Sequence, residues 1–162
     1  MTLNNSKAIV NLKIRARAAI ILYLTYLILA YAASIIKFPL LGISSTLWTV
    51  ILTICFLIII LFPVVLKYQY VFYSDEGNDI VLRYFSTGVV AGNKNSVEIN
   101  KRSFTGFRIE KEFFGFVQSL VLFQRLKEGV AKYPPIYLGA LNRSQKQKLI
   151  SSLTSYAPIM KD

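Results

Sequence analysis

Residues 43–66 read ISSTLWTVILTICFLIIILFPVVL, twenty-four consecutive positions without a charge. As a helix rising 1.5 Å per residue they span about 36 Å, against a hydrocarbon core of roughly 30 Å. Sixteen of them are Ile, Leu, Val or Phe. At about 0.3–0.6 kcal/mol each, those side chains favour insertion by roughly 5–10 kcal/mol. Trp48 and Tyr68 lie near the two ends, where amphipathic rings settle at a membrane interface, and Pro63 falls in the last turn or so. Just upstream, residues 18–36 (AAIILYLTYLILAYAASII) are also uncharged. They span about 28 Å and are favoured by roughly 3–5 kcal/mol. Two such runs rarely coexist in so short a soluble chain, so the sequence predicts a transmembrane pair rather than buried core helices.

The link between them, Lys37-Phe38-Pro39-Leu40-Leu41-Gly42, is too short for anything but an antiparallel hairpin. Small or hydroxyl residues recur at helical spacing on both runs: Ala30, Ala33 and Ser34 late in the first, Thr46, Thr49 and Thr53 early in the second. At matching depth they allow close backbone approach. Ala30-Tyr31-Ala32 resembles a signal-peptidase site, but the apolar run continues past it to Ile36, which favours a retained span.

The net charge of +11 divides unevenly. Lys7, Lys13, Arg15 and Arg17 precede the first run, Lys37 alone lies in the link, and Lys67 opens a basic C-terminal stretch. Positive residues stay cytoplasmic. The expectation is a multi-pass protein of the cytoplasmic membrane with both termini inside: a basic segment over 1–17, a hairpin over 18–66 and a cytoplasmic domain over 67–162. The composition is 54% hydrophobic, above the usual 45–50% or so, and the excess is concentrated in the hairpin. Cys55, inside the second run, is the single cysteine, and histidine is absent. The chain thereby lacks both the commonest metal ligand and the commonest general base.

From Tyr68 the pattern changes to period two. Tyr68, Tyr70 and Phe72 share one strand face, Asp75-Glu76-Gly77-Asn78 is a turn, and Ile80, Leu82 and Tyr84 alternate through a second strand. A loop follows over 88–95. Val97 with Ile99, Phe107 with Ile109, Leu120 with Leu122 and Leu126, and Ile136 with Leu138 mark further strands, the last demoted towards an edge by Pro134-Pro135. The end is helical. Asn142 is an N-cap with Gln145 at N3, and Leu149, Ile150, Leu153 and Tyr156 form an apolar stripe.

Six or seven antiparallel strands and one C-terminal helix, directly after a membrane hairpin, resemble the bacterial PH-like (pleckstrin-homology-like) domain proteins. The residues that carry the resemblance are the 70–79 hairpin with its D-E-G-N turn, the 136–141 strand and the ending LGALNRSQKQKLISSL. It implies an α+β membrane protein whose PH-like antiparallel β-barrel is plugged at one end by the helix. Phosphoinositide-binding PH domains place basic residues around the first strand-to-strand loop. Here that loop carries Asp75, Glu76 and Asp79 and no Lys or Arg, so phosphoinositide recognition is not expected.

No phosphate loop, nucleophile elbow or Cys/His cluster is present, and Ser103, Ser119 and Ser144 have no histidine to activate them. The expectation is therefore a non-enzyme without cofactor or metal. Glu110 and Glu112 beside Arg108 and Lys111 read as alternating surface charge. Interspersed acidic residues and the lack of a recognition motif speak against nucleic acid. Arg15, Arg17, Lys67, Lys101, Arg102, Arg143 and Lys146 are candidate headgroup contacts on the anionic leaflet. Phe113, Phe114 and Phe116, three aromatics around Gly115 at a turn, are a candidate partner or lipid interface. The expected role is a scaffold or accessory subunit in the bilayer, binding another membrane protein or a second copy of itself. The alternatives are an effector whose barrel senses a cyclic-nucleotide-like ligand and an immunity-type protein that engages a membrane target.

Overall fold

The computed structural model describes residues 1–87 and 92–160, so the loop expected over 88–95 lies partly outside the described residues. The chain divides into two compact units. One is Val10–Val65; the other joins Met1–Ile9 to the chain from Leu66 onward.

In the helical unit, α1 (Ser6–Leu27) continues through a π-helical turn (Ile28–Ala32), and α2 covers Ser45–Val65. Both are long and apolar enough to cross a membrane. Their large side chains are not sequestered in a protein core: Ile21, Leu22, Ile28, Ile54, Ile58 and Phe62 all stand exposed. The first helix starts twelve residues before the apolar run, because nothing from Ser6 to Arg17 breaks a helix.

The two helices meet through hydroxyls. Tyr23 bonds Thr53 Oγ1 at 2.7 Å, and Tyr26 and Tyr31 both reach Thr49 Oγ1, at 2.8 and 2.6 Å. Each threonine donates its own proton to the carbonyl four residues back, so its oxygen is left to accept from the tyrosines. Tyr23 also stacks on Phe56 at 4.6 Å between centroids. Half of the expected small-residue stripe thus lies in the contact, with Ala30 buried beside it. Ala33, Ser34 and Thr46 are exposed and lie outside it.

The other unit begins with a strand that the sequence pattern does not announce. β1 (Thr2–Asn4) pairs antiparallel with β2 (Gln69–Ser74), which pairs with β3 (Asp79–Ser86) and that with β4 (Asn95–Asn100). A second sheet holds β5 (Phe104–Glu112), β6 (Val117–Leu126) and β7 (Gly129–Lys132). The short β8 (Ile136–Tyr137) pairs with β6 beyond the end of β7. α3 (Arg143–Thr154) follows, with Asn142 and Gln145 completing the expected capping box.

Period-two burial puts Val71 and Tyr73, Ile80, Leu82 and Tyr84, and Val97 and Ile99 into one core with Phe107, Leu120, Leu122, Ile136 and the α3 residues Leu149 and Leu153. On β2 the inward face is therefore Val71 and Tyr73; Tyr70 stacks on Phe85 instead. Leu126 and Tyr156, expected on apolar stripes, are exposed.

The sheets do not close into the expected barrel. Closure would need β4 to pair with β5, but the outer edge of β5 is occupied by the C-terminal tail. Phe107 donates its N–H to the Pro158 carbonyl and accepts from Met160 N at 2.8 Å. At the turn between the sheets, the Ser103 carbonyl accepts from Arg125 N on β6 rather than from β4.

Candidate functional site

Two residues beyond the end of α2 the chain must bend into β2. Lys67 makes that bend in the left-handed region (φ 49°). Its ammonium donates to Glu112 Oε2 at 2.8 Å and to the Tyr137 hydroxyl at 2.9 Å, and lies 4.6 Å from the Tyr137 ring centre. The bond to Glu112, then that to Tyr137, holds the Lys67 pKa above the ordinary lysine value against the opposing effect of burial.

From Tyr137 the network continues inward. Tyr137 N donates to Gln69 Oε1 at 2.9 Å, and the Gln69 carbonyl accepts from Asn5 Nδ2 at 2.9 Å. Asn5 Oδ1 accepts from Val71 N at 2.9 Å, and this asparagine is buried. Gln145, besides capping α3, donates to the Asn4 carbonyl at 2.9 Å. Lys146 reaches Gln118 Oε1 at 3.2 Å, and burial lowers its pKa. One end of the unit thus gathers the end of β1, the start of β2, the end of β5, β8 and the first turn of α3, where Arg143 is exposed.

Glu112 is also the last residue before the aromatic turn. Phe113, Phe114 and Gly115 form a single 3-10 turn between β5 and β6. Phe113 and Phe114 both adopt left-handed φ values (48° and 55°), a conformation that costs a bulky residue of order 1–3 kcal/mol. All three rings are turned outward, with Phe113 60%, Phe114 fully and Phe116 78% exposed.

The opposite end carries different chemistry. Lys101 Nζ donates to the Asp75 and Gly77 carbonyls at 2.6 and 2.8 Å and sits 4.8 Å from the Tyr156 ring centre. It braces the acidic turn. Ser152 Oγ donates to Asp75 Oδ2 at 2.5 Å and is bonded to the Tyr73 hydroxyl at 2.7 Å. Burial pushes the Tyr73 pKa up. The six residues of β2, about 20 Å of strand, separate this end from Lys67.

The candidate headgroup contacts are therefore divided. Lys67, Arg143 and Lys146 share an end with Phe113, Phe114 and Phe116, whereas Lys101 and Arg102 belong to the other. Arg15 and Arg17 are exposed on α1. Taking the Tyr23–Thr53 bond as the reference level, Arg17 lies six residues along α1 and Ile60 seven along α2, both about 10 Å away. The arginines thus stand level with the last turns of α2.

Glu112, Tyr137, Gln69 and Asn5 were not singled out from the sequence. Glu112 is half of the Glu110/Glu112 pair read as surface charge, and Glu110 does behave that way, 3.6 Å from Lys132. Among the described residues, no three His, Cys, Asp or Glu side chains gather as a metal site. Compared with protein-family models, with curated proteins and with solved structures, the chain matches none.

Proposed function

We propose that this chain is a non-catalytic, membrane-anchored module. A transmembrane hairpin holds a PH-like domain at the cytoplasmic face of a bacterial inner membrane, where it acts as a scaffold or accessory subunit by contacting another membrane protein or a second copy of itself. The observation that carries the reading is the division of the chain. Met1–Ile9 and the chain from Leu66 onward make one compact unit, and the unit between them carries two helices long and apolar enough to cross a membrane, the first entered through Lys13, Arg15 and Arg17. A two-span excursion returns to the side it left, so both termini share one face, and the excess of Lys and Arg favours the cytoplasmic one. Two antiparallel sheets with a C-terminal helix support the PH-like class, with the tail at β5 standing where a closed barrel would pair its strands.

The non-catalytic role is supported by what the polar residues already do. Asp75, Glu110 and Glu112 are held by Ser152, Lys132 and Lys67 respectively, and the sequence has no histidine to serve as a base. Alkaline carbonate washing of membranes from cells that make the full chain tests the anchor. Retention in the pellet supports it and release overturns it. A photo-crosslinking residue at the exposed positions Leu126 and Val130 tests the contact role. Adducts to a membrane protein or to a second copy support it, and none at either position removes it.

A further inference from the structure

The geometry points to the turn of Phe113, Phe114, Gly115 and Phe116 as a second membrane contact, a wedge whose rings enter the headgroup–acyl boundary. The inference rests on the reading of α2 as a membrane span. Three observations carry it. First, the aromatic character of the turn is not explained by the fold. All three rings are exposed, none joins the core, and two adopt left-handed φ where Gly or Asn would be less strained. Second, the turn is rooted where the chain leaves the span. Lys67 is at most about 7 Å of chain beyond Val65, and its ammonium holds Glu112, the residue before Phe113. Third, the surroundings suit an anionic interface. Lys111 is exposed on the strand leading into the turn and stands opposite Gln118, which holds Lys146, while Arg143 is exposed at the start of α3.

An apolar tip on a basic rim is the composition of an interfacial contact. The rings take the boundary region and the cations take the phosphates above it. A protein partner would need an acidic patch placed against these particular cations, whereas an anionic leaflet presents the complementary charge over its whole surface.

The test uses the full chain with Cys55→Ser, reconstituted in liposomes of phosphatidylcholine and phosphatidylglycerol. An environment-sensitive nitrobenzoxadiazole label is placed by single substitution at Phe114→Cys, Glu128→Cys or Ile59→Cys. Phe114 is fully exposed, so its replacement leaves the core intact. Glu128 follows the far end of the ten-residue β6, about 30 Å away, and serves as the water-facing control. Ile59 reports on the span. The expected result is that lipids carrying a shallow spin label quench Phe114→Cys several-fold more than Glu128→Cys, with less quenching when phosphatidylglycerol is omitted. Deep spin labels quench Ile59→Cys. If Ile59→Cys is quenched but Phe114→Cys is as open to aqueous iodide as Glu128→Cys, the wedge is overturned and the anchor stands. If Phe114→Cys is shielded from iodide but unquenched by lipid labels, a protein contact covers the turn and the lipid assignment is overturned. If Ile59→Cys is not quenched, the spanning reading fails and the wedge with it.

Discussion

Lys67 and Glu112 face each other across a 2.8 Å ion pair that joins the residue just beyond the second apolar helix to the residue just before the aromatic turn. They are forty-five positions apart in the chain. Both side chains remain more than a third exposed, so solvent screening limits what the pair adds to stability, typically less than about 1 kcal/mol. Its consequence is positional. It fixes where the 113–116 turn emerges relative to the start of β2, and Tyr137 fixes the lysine from the other side.

Replacing Lys67 with Met is accordingly expected to lower thermal stability by less than about 1 kcal/mol, while changing the lipid quenching of a label at Phe114→Cys. The pH dependence has a definite sign. A lysine whose pKa is raised in the folded state contributes fully below its unfolded value of 10.5, and loses that contribution as pH rises through the folded value. Melting curves of wild type and Lys67→Met should therefore keep a constant separation from pH 7 to 9 and converge only above about 10.5. A separation that changes between pH 7 and 9 would show that another group sets it.

Leu149→Asp and Lys148→Asp test how α3 is docked. Leu149 is fully buried in the shared core, and its neighbour Lys148 is exposed. A carboxylate in place of Leu149 has no partner there and is expected to cost more than about 4 kcal/mol, a large part of a small domain's total of about 5–15 kcal/mol. Lys148→Asp should stay within about 0.5 kcal/mol. Limited proteolysis of the detergent-solubilised chain reads the difference, and equal susceptibility of the two variants would mean that this helix face is not the docked one.

Asn5 gives a sharper case, because a single buried side chain joins the first strand to the second. It accepts from Val71 N and donates to the Gln69 carbonyl, both at 2.9 Å. Asn5→Ala leaves both backbone groups without this partner, and each such loss costs about 1–3 kcal/mol. A loss of about 2–6 kcal/mol in thermal unfolding of the unit that contains Asn5, read by near-ultraviolet circular dichroism, is expected. No measurable change would mean that water replaces the asparagine.

These residues show where sequence reading succeeds and where it stops. The apolar runs, the alternation of Ile80, Leu82 and Tyr84 and the Asn142–Gln145 cap are local signals, set by periods of 3.6 and 2 and by one hydrogen-bond exchange, and each is legible from neighbouring residues. β1 was not legible, since three residues of Thr-Leu-Asn carry no period, and their strand exists only because β2, some seventy positions away, offers an edge. Barrel closure failed for a related reason: element order does not reveal that the tail at Pro158 takes the β5 edge first. Of the candidate site, the three phenylalanines could be singled out by their crowding around Gly115. Their partner in position, Lys67, and the split of the basic residues between two ends depend on tertiary register.

In the hairpin, Thr49 accepts from both Tyr26 and Tyr31, whereas Thr53 accepts from Tyr23 alone. Such interhelical bonds contribute about 0.6–2 kcal/mol in a bilayer. Thr49→Val should therefore weaken helix–helix association about twice as much as Thr53→Val, with shape nearly conserved in both. The measurement is the midpoint of sodium dodecyl sulfate titration in mixed micelles. Equal midpoints for both variants and wild type would mean that the hydroxyls find lipid or water partners when the helices part.

The topology makes the last prediction. With Cys55 replaced by Ser, single cysteines at Ser45 and Ser152 report the two faces of the membrane. Ser45 begins α2 at the end next to the link, and Ser152 lies on α3 in the unit that also contains Met1–Ile9. If both helices span, these positions are on opposite sides, because one crossing separates the link from the unit. In the proposed orientation the link, with its single lysine against four basic residues before the first run, lies outside. An impermeant maleimide added to intact cells is expected to label Ser45→Cys and to leave Ser152→Cys unlabelled until the membrane is opened. Ser152 Oγ bonds Asp75 and Tyr73, so a second probe at the exposed Lys148 guards against a merely shielded thiol. Labelling of both from outside would mean the hairpin does not cross, and labelling of Ser152→Cys and Lys148→Cys alone would reverse the orientation.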